Sequence, residues 1–159
     1  MGKTSAKVEH RDYIPWGWIA IPFCRVSFYG TDAEKMDKGW SDITSKRYKE
    51  YNFIYEMNIK KTEKMKSDIK KIEDSIHRPW YRFWDTKEEK IKKKEIGKIQ
   101  QDIQDLELKN VDIGKKRWFD SYEYRRRLEE YLQKNGFYLN DTSTSGNECK
   151  THTEVWLKD

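Results

Sequence analysis

Cysteine is scarce in this chain, with only Cys24 and Cys149 among 159 residues, and that excludes a disulfide-dense secreted scaffold. Both fall in segments read below as strands of one sheet, so a bridge between them is geometrically open. Free thiols are nonetheless the expectation for two cysteines in a cytosolic chain. No apolar run approaches the roughly 18 residues that span a bilayer, and the opening Met1-Gly2-Lys3-Thr4-Ser5 lacks an apolar segment of signal-peptide type. A cytoplasmic location without membrane contact is expected, the host cytosol for a phage-encoded chain. Apolar residues make up 35% and charged residues 38%, too few of the former for a large compact core.

Groupings that carry catalysis are lacking too. The three histidines, His10, His77 and His152, are scattered over an N-terminal tail, a turn and a last strand. No nucleophile, base and acid converge in the sequence, and there is no Gly-rich phosphate loop. The expectation is a protein that is not an enzyme and needs no cofactor.

What the chain has in quantity is aromatic residues, 14% of the total, and a long heptad pattern. Tyr48, Tyr51, Tyr55, Asn58, Thr62, Met65, Ile69, Ile72 and Ile76 recur with alternating steps of three and four, which predicts a helical arm over 42–78 with one narrow apolar seam. The intervening residues are almost all charged or polar, so most of the arm's circumference is exposed. Pro79 has no amide hydrogen to donate and pushes the residues before it towards extended geometry, so the chain turns over 79–86. Asp85 or Thr86 can cap a returning helix, with Glu88 and Glu89 in its first turn.

The returning arm is expected over 87–134, with a seam of Ile96, Ile99, Ile103, Leu106, Asn110 and Ile113, and a break near 110–114, where Gly114 weakens the helix. Antiparallel pairing about Arg82 sets Ile69 beside Ile96, Thr62 beside Ile103, Asn58 beside Leu106 and Tyr55 beside Asn110. The polar seam positions Asn58, Thr62 and Asn110 are of the kind that fix register, and Tyr55 can satisfy Asn110.

The remaining segments cap the hairpin's open end. Residues 1–12 show no period and read as a loose tail. The aromatic and β-branched stretch 13–29, opened by Trp16-Gly17-Trp18, reads as a strand region with an edge or bulge at Pro22. A short helix over Ala33 to Lys38 ends at Gly39. Past the break, Trp118, Tyr122, Arg125, Leu128 and Leu132, widened by Phe119 and Tyr131, form an apolar face that covers a sheet. Residues 137–159 read as a β-hairpin around the polar loop Asp141 to Asn147. The fold class is α+β: one elongated domain with a long antiparallel helical hairpin and a small antiparallel sheet of about three strands from the N- and C-terminal segments.

Charge is uneven. The chain carries +5, and residues 46–98 hold seventeen basic side chains against ten acidic ones. Lys60, Lys61, Lys64, Lys70, Lys71, Lys90, Lys92, Lys93, Lys94 and Lys98 offer a phosphate-binding face to nucleic acid, as do Arg125, Arg126 and Arg127. Because Glu56, Glu63, Glu73, Asp74, Glu88, Glu89 and Glu95 interleave with the lysines, a solvated face is the favoured reading.

Arg78, Trp80, Tyr81, Arg82, Phe83 and Trp84 combine Arg with aromatics at the hairpin turn, which is the composition of interface hot spots. Two readings stand: a partner-binding tip, or an aromatic plug folded back over Ile72, Ile76 and Ile91. A second candidate face is Tyr48, Tyr51, Tyr55, Trp118, Phe119 and Tyr122. Metal sites find little support. Cys149 and His152 point to opposite faces of a strand. Asp141, Ser143, Ser145 and Gly146 match early positions of a calcium loop, but His152 stands where the bidentate Glu belongs.

In size, solitary-domain build and Lys/aromatic style, from Trp16-Gly17-Trp18 to the basic hairpin, the chain resembles small inhibitors encoded by phages and mobile elements of Gram-positive bacteria. Notable among these are the anti-CRISPR proteins directed at type II effector nucleases. The resemblance carries over no functional residue. It implies a stoichiometric, non-catalytic protein that docks on a nuclease domain or its nucleic-acid channel. A basic nucleic-acid-binding accessory protein and a self-associating coiled coil are the alternatives.

Overall fold

The structure, a computed structural model, describes residues 3–11, 23–146 and 150–159. It is α+β, with element order β1 (Thr4–Arg11), β2 (Phe23–Tyr29), α1 (Ala33–Asp74), α2 (Lys87–Lys116), α3 (Ser121–Lys134), β3 (Tyr138–Ser145) and β4 (Thr151–Lys158). The chain divides into two compact units, Met1–Arg47 with Trp118–Asp159, and Tyr48–Arg117.

The first unit holds a four-stranded antiparallel sheet in the order β2-β1-β4-β3. The strand beyond the expected three is β1, formed by the segment that reads as a loose tail in the sequence, and it lies inside the sheet. Its Thr4, Ala6, Val8 and His10 are buried while the residues between them are more exposed. This two-residue period is hard to see because two of the four inward residues are polar. The strand expected over 13–29 is observed as β2; the Trp16-Gly17-Trp18 run and the bulge expected at Pro22 lie outside the described residues, as does Cys149. β3 also runs through Asp141 to Ser145, where the polar composition suggests a loop. Every residue of this edge strand is exposed, so backbone pairing with β4 defines it and no hydrophobic alternation marks it.

Ala6, Val8 and Trp156 on the sheet pack with Met36 and Trp40 of α1, Leu128 and Leu132 of α3, and Phe137 to form the core, flanked by Cys24, Val26, Phe28, Tyr124 and Tyr131. The indole of Trp40 donates to the Tyr124 hydroxyl at 2.8 Å, and the Tyr131 hydroxyl donates to the Met36 carbonyl at 2.8 Å. That last contact explains Gly39, which does not end a short helix as its composition suggests. A Cβ there would stand 2.3 Å from the Tyr131 hydroxyl, so glycine makes room for the ring and α1 continues to Asp74. The apolar face of α3 is also shifted from the expected one. Leu128, Leu132, Tyr124 and Tyr131 face the core, whereas Trp118 and Tyr122 are exposed.

In the second unit, the later part of α1 and α2 meet along the expected seams. Thr62, Ile103 and Asn110 are buried, and the other seam positions are half-buried. Asn110 donates to the Tyr55 carbonyl at 3.2 Å and accepts from the Asn58 amide at 3.1 Å. Tyr55 thus satisfies Asn110 through its backbone. The helix runs through Gly114, the expected break, because Gly114 faces the Tyr55 ring, where a Cβ would lie 3.3 Å from Cε2. The interruption falls at 117–120 instead, where Asp120 caps α3 by accepting from the Glu123 amide at 2.7 Å.

Candidate functional site

The hairpin turn is built by its polar groups. α1 ends at Asp74, four residues before the expected limit, and the Ser75 hydroxyl turns back to the Ile72 carbonyl at 2.6 Å. Pro79 to Arg82 form a turn closed by the Arg82 amide on the Pro79 carbonyl at 3.1 Å, which puts Trp80 and Tyr81 at its apex. On the far side Thr86 caps α2 in a reciprocal box: its hydroxyl accepts from the Glu89 amide at 3.2 Å, and Glu89 Oε2 accepts from the Thr86 amide at 3.1 Å. The other oxygen of buried Glu89 takes the Arg82 guanidinium. One carboxylate therefore holds both the helix start and the turn.

Arg78 extends this scaffold. It donates to the Arg82 carbonyl at 2.8 Å and lies 3.6 Å from Asp85, which also pairs with Lys93 at 2.8 Å. The Lys93 hydrogen bond holds the Asp85 carboxyl below the usual carboxylate range, against the opposing effect of burial and with help from the charges of Lys93 and Arg78.

The aromatic side chains of the turn take no part in this network. Trp80 is 90% exposed, Phe83 85%, Trp84 68% and Tyr81 64%. Trp80 and Tyr81 touch edge to face, with centroids 5.9 Å apart. Ile91, one of the residues an aromatic plug would cover, is itself exposed. In the site singled out from sequence, Arg78 and Arg82 are committed to the scaffold and the four rings face solvent.

The second candidate face is distributed differently within each unit. In the hairpin, the Arg117 guanidinium lies 4.2 Å from the Tyr55 ring centroid and 5.8 Å from that of Tyr48, and it also donates to Asn52 at 3.0 Å. Tyr48, Tyr51 and Tyr55 are half-buried. In the sheet unit, Phe119 stacks on Trp40 at 6.5 Å beneath Arg47, while Trp118 and Tyr122 are exposed.

The basic residues do not assemble into one surface. Against the seam, most lysines of the hairpin fall at outer positions round both helices, half-buried Lys92 lies on the seam side, and Lys66, Lys71, Lys92 and Lys93 pair with Glu107, Asp68, Glu88 and Asp85. Arg125 pairs with Glu154 at 2.7 Å, and Arg126 and Arg127 share Glu130.

One cluster escapes the sequence reading. Cys24, His10, His152 and Thr144 are cross-strand partners in a single row of the sheet, so His10 near the N-terminus meets His152 of the last strand. Their rings stack at 5.0 Å. Glu154, close by on the same face, accepts from Arg125 at 2.7 Å and from the Trp156 indole at 3.1 Å, and lies 3.4 Å from His10 Nε2. Burial pushes the Glu154 carboxyl up, but the hydrogen bonds from Arg125 and Trp156 outweigh it and hold the group below the usual range. Burial pushes the Cys24 thiol up to about 12, so it is not a nucleophile near neutral pH. The one sequence signal for this cluster is the inward two-residue period of β1.

Among the described residues no group of three or more His, Cys, Asp or Glu side chains is placed to hold a metal ion, and no helix is long and apolar enough to cross a membrane. Comparisons with protein-family models, curated protein sequences and solved structures give no match.

Proposed function

We propose that the protein is a non-catalytic, stoichiometric binding module that docks through its hairpin turn on a protein partner, acting in the cytoplasm as an inhibitor of a host defence nuclease of the anti-CRISPR kind. The observation that carries the reading is the exposure of Trp80, Tyr81, Phe83 and Trp84 above a turn held by Glu89, Arg82, Arg78 and Asp85. Exposed aromatic rings cost solvation in the free protein, and burying them on a partner recovers it. Because the backbone beneath is already ordered, little conformational entropy is lost on docking.

The partner's chemistry follows from the surroundings. Lys87, Glu88 and Lys90 stand exposed at the start of α2, in the same turn region as the rings, so the complementary surface is an apolar cleft edged with charges of both signs. A protein of net charge +5 does not mimic DNA, which favours docking on a nuclease domain over occupation of a nucleic-acid channel. Lysines spread around both helices and arginines engaged by Glu130 and Glu154 are a poor basis for the alternative, a nucleic-acid accessory protein.

The test is target-DNA cleavage by guide-loaded type II effector nucleases from a panel of Gram-positive bacteria, with the protein added from sub-stoichiometric to excess amounts. Inhibition that saturates at a fixed molar ratio to one nuclease, and that is unchanged by added non-target DNA, supports the reading. Absence of inhibition across the panel contradicts the inhibitor assignment. Inhibition relieved by non-target DNA replaces it with nucleic-acid binding.

A further inference from the structure

The sheet unit holds a cavity beside the histidine row, built from none of the residues of the docking turn. It measures about 300 Å³ and is lined by His10, Arg125, Ser143, Thr144, His152 and Glu154, among other polar residues. No large apolar side chain of the described residues lines it, so it does not suit an apolar ligand. Among the described residues its one carboxylate is already engaged: Glu154 receives Arg125 and Trp156 and faces His10 Nε2. What the walls offer a guest is donors. The Arg125 guanidinium has five N–H groups, and its contact with Glu154, at 2.7 Å through one terminal nitrogen, leaves others for a guest. Thr142 and Thr144, which the strand register sets on the same face as Glu154 and His152, add hydroxyls from the edge strand, and the Thr144 hydroxyl lies 3.0 Å from His152 Nδ1.

From this arrangement we infer that the cavity between β3, β4 and α3 binds a phosphate group, as inorganic phosphate or a phosphomonoester. Guanidinium and hydroxyl donors converging on one space are the usual recognition elements for such an anion. The charge balance selects among anions. One guanidinium faces one carboxylate, and the two imidazoles accept or donate according to protonation. A monoanion that both accepts and donates hydrogen bonds is better matched than a dianion that only accepts. Phosphate esters, with a second pKa of about 6, take that form increasingly as pH falls towards and below that value; sulfate does not.

The experiment follows the ring C–H resonances of the three histidines by NMR in the full-length protein, while inorganic phosphate replaces chloride at constant ionic strength and pH. His77, in the hairpin turn, is the internal control. The expected result is saturable movement of the His10 and His152 signals, half complete at about 1 mM phosphate, with His77 unmoved. Sulfate and acetate should bind several-fold more weakly. Thr144→Val, on the exposed edge of the sheet, should weaken phosphate by about fivefold with the remaining sheet signals unchanged.

Movement without saturation, parallel movement of all three histidines, or sulfate and acetate binding as well as phosphate would each overturn the assignment. So would unaltered affinity in a folded Thr144→Val protein. A phosphomonoester run in parallel separates the two sources of the group: tighter binding than inorganic phosphate identifies an ester as the ligand, and equal or weaker binding identifies the free anion. Neither the cavity nor this titration involves the turn aromatics, so its failure leaves the docking proposal untouched, and the reverse holds too.

Discussion

Asn58 donates its side-chain amide to the side-chain carbonyl of Asn110 across the hairpin seam at 3.1 Å, and Asn110 passes its own amide to the Tyr55 carbonyl at 3.2 Å. Two amides facing each other inside the seam define one register, since a shift of either helix separates the pair and leaves the buried Asn110 without its partners. A double-mutant cycle of Asn58→Ala and Asn110→Ala, read by urea unfolding, is expected to give a coupling energy of about 0.5–1.5 kcal/mol. Strict additivity would show that the pair contributes nothing to the seam.

Glu89 is expected to be the most sensitive residue of the turn. Glu89→Ala removes half of the capping box and leaves the largely buried Arg82 guanidinium without its partner, at a cost of about 2–4 kcal/mol. Glu89→Gln keeps an acceptor for the Thr86 amide and should cost roughly half as much. Unfolding curves for the two variants check the order, and equal stability with the parent protein would refute the role given to Glu89.

Three helical glycines separate into opposite effects. Gly97 has open space within 4 Å of where a Cβ would stand, so Gly97→Ala should stabilise by about 0.5–1 kcal/mol through helix propensity alone. Gly39→Ala drives a methyl into the Tyr131 hydroxyl and costs that group its bond to the Met36 carbonyl. The loss outweighs the propensity gain, for a net destabilisation of about 1–2 kcal/mol. Gly114→Ala, tight against Tyr55, falls between. Thermal melts of the three variants give the ranking directly.

Acid should weaken the sheet unit through Glu154. Its folded-state pKa is depressed below the ordinary 4.5, so its contribution is complete above that value and is lost as pH falls through the lower folded value. Glu9, depressed chiefly by its hydrogen bond from Arg25, acts in the same direction. Stability measured from pH 6 downward should fall with a slope that Glu154→Gln reduces. An unchanged slope in that variant would remove Glu154 from the explanation.

Much of the hairpin is legible in the sequence because its physics is local and periodic. Tyr48 to Ile76 and Ile96 to Ile113 repeat at heptad spacing, and the residues named from that spacing are the less exposed ones. The start of α2 is legible as well, with Asp85 or Thr86 as its cap and Glu88 and Glu89 in its first turn, while the reciprocal bond between Thr86 and Glu89 comes from the structure. The sheet is harder to read. β1 presents Thr4 and His10 inward beside Ala6 and Val8, and β3 has no buried side at all, so their places depend on pairing with distant strands. Gly39 and Gly114 look like helix breakers because the rings that require them, Tyr131 and Tyr55, lie far along the chain. His10 and His152 look unrelated for the same reason. In the turn, composition points to Trp80 and Trp84, but only the structure separates the exposed rings from the arginines that hold the backbone.

The most direct measurement is the affinity of the parent protein and the Trp80→Ala/Trp84→Ala variant for whichever guide-loaded nuclease the cleavage panel identifies, together with the helicity of each. The expected result is a loss of more than a hundredfold, about 3 kcal/mol, with helicity unchanged, because neither ring supports the turn. Undiminished binding by a correctly folded variant would contradict docking through the turn, and a loss of helicity would show that the two rings serve the hairpin's own fold.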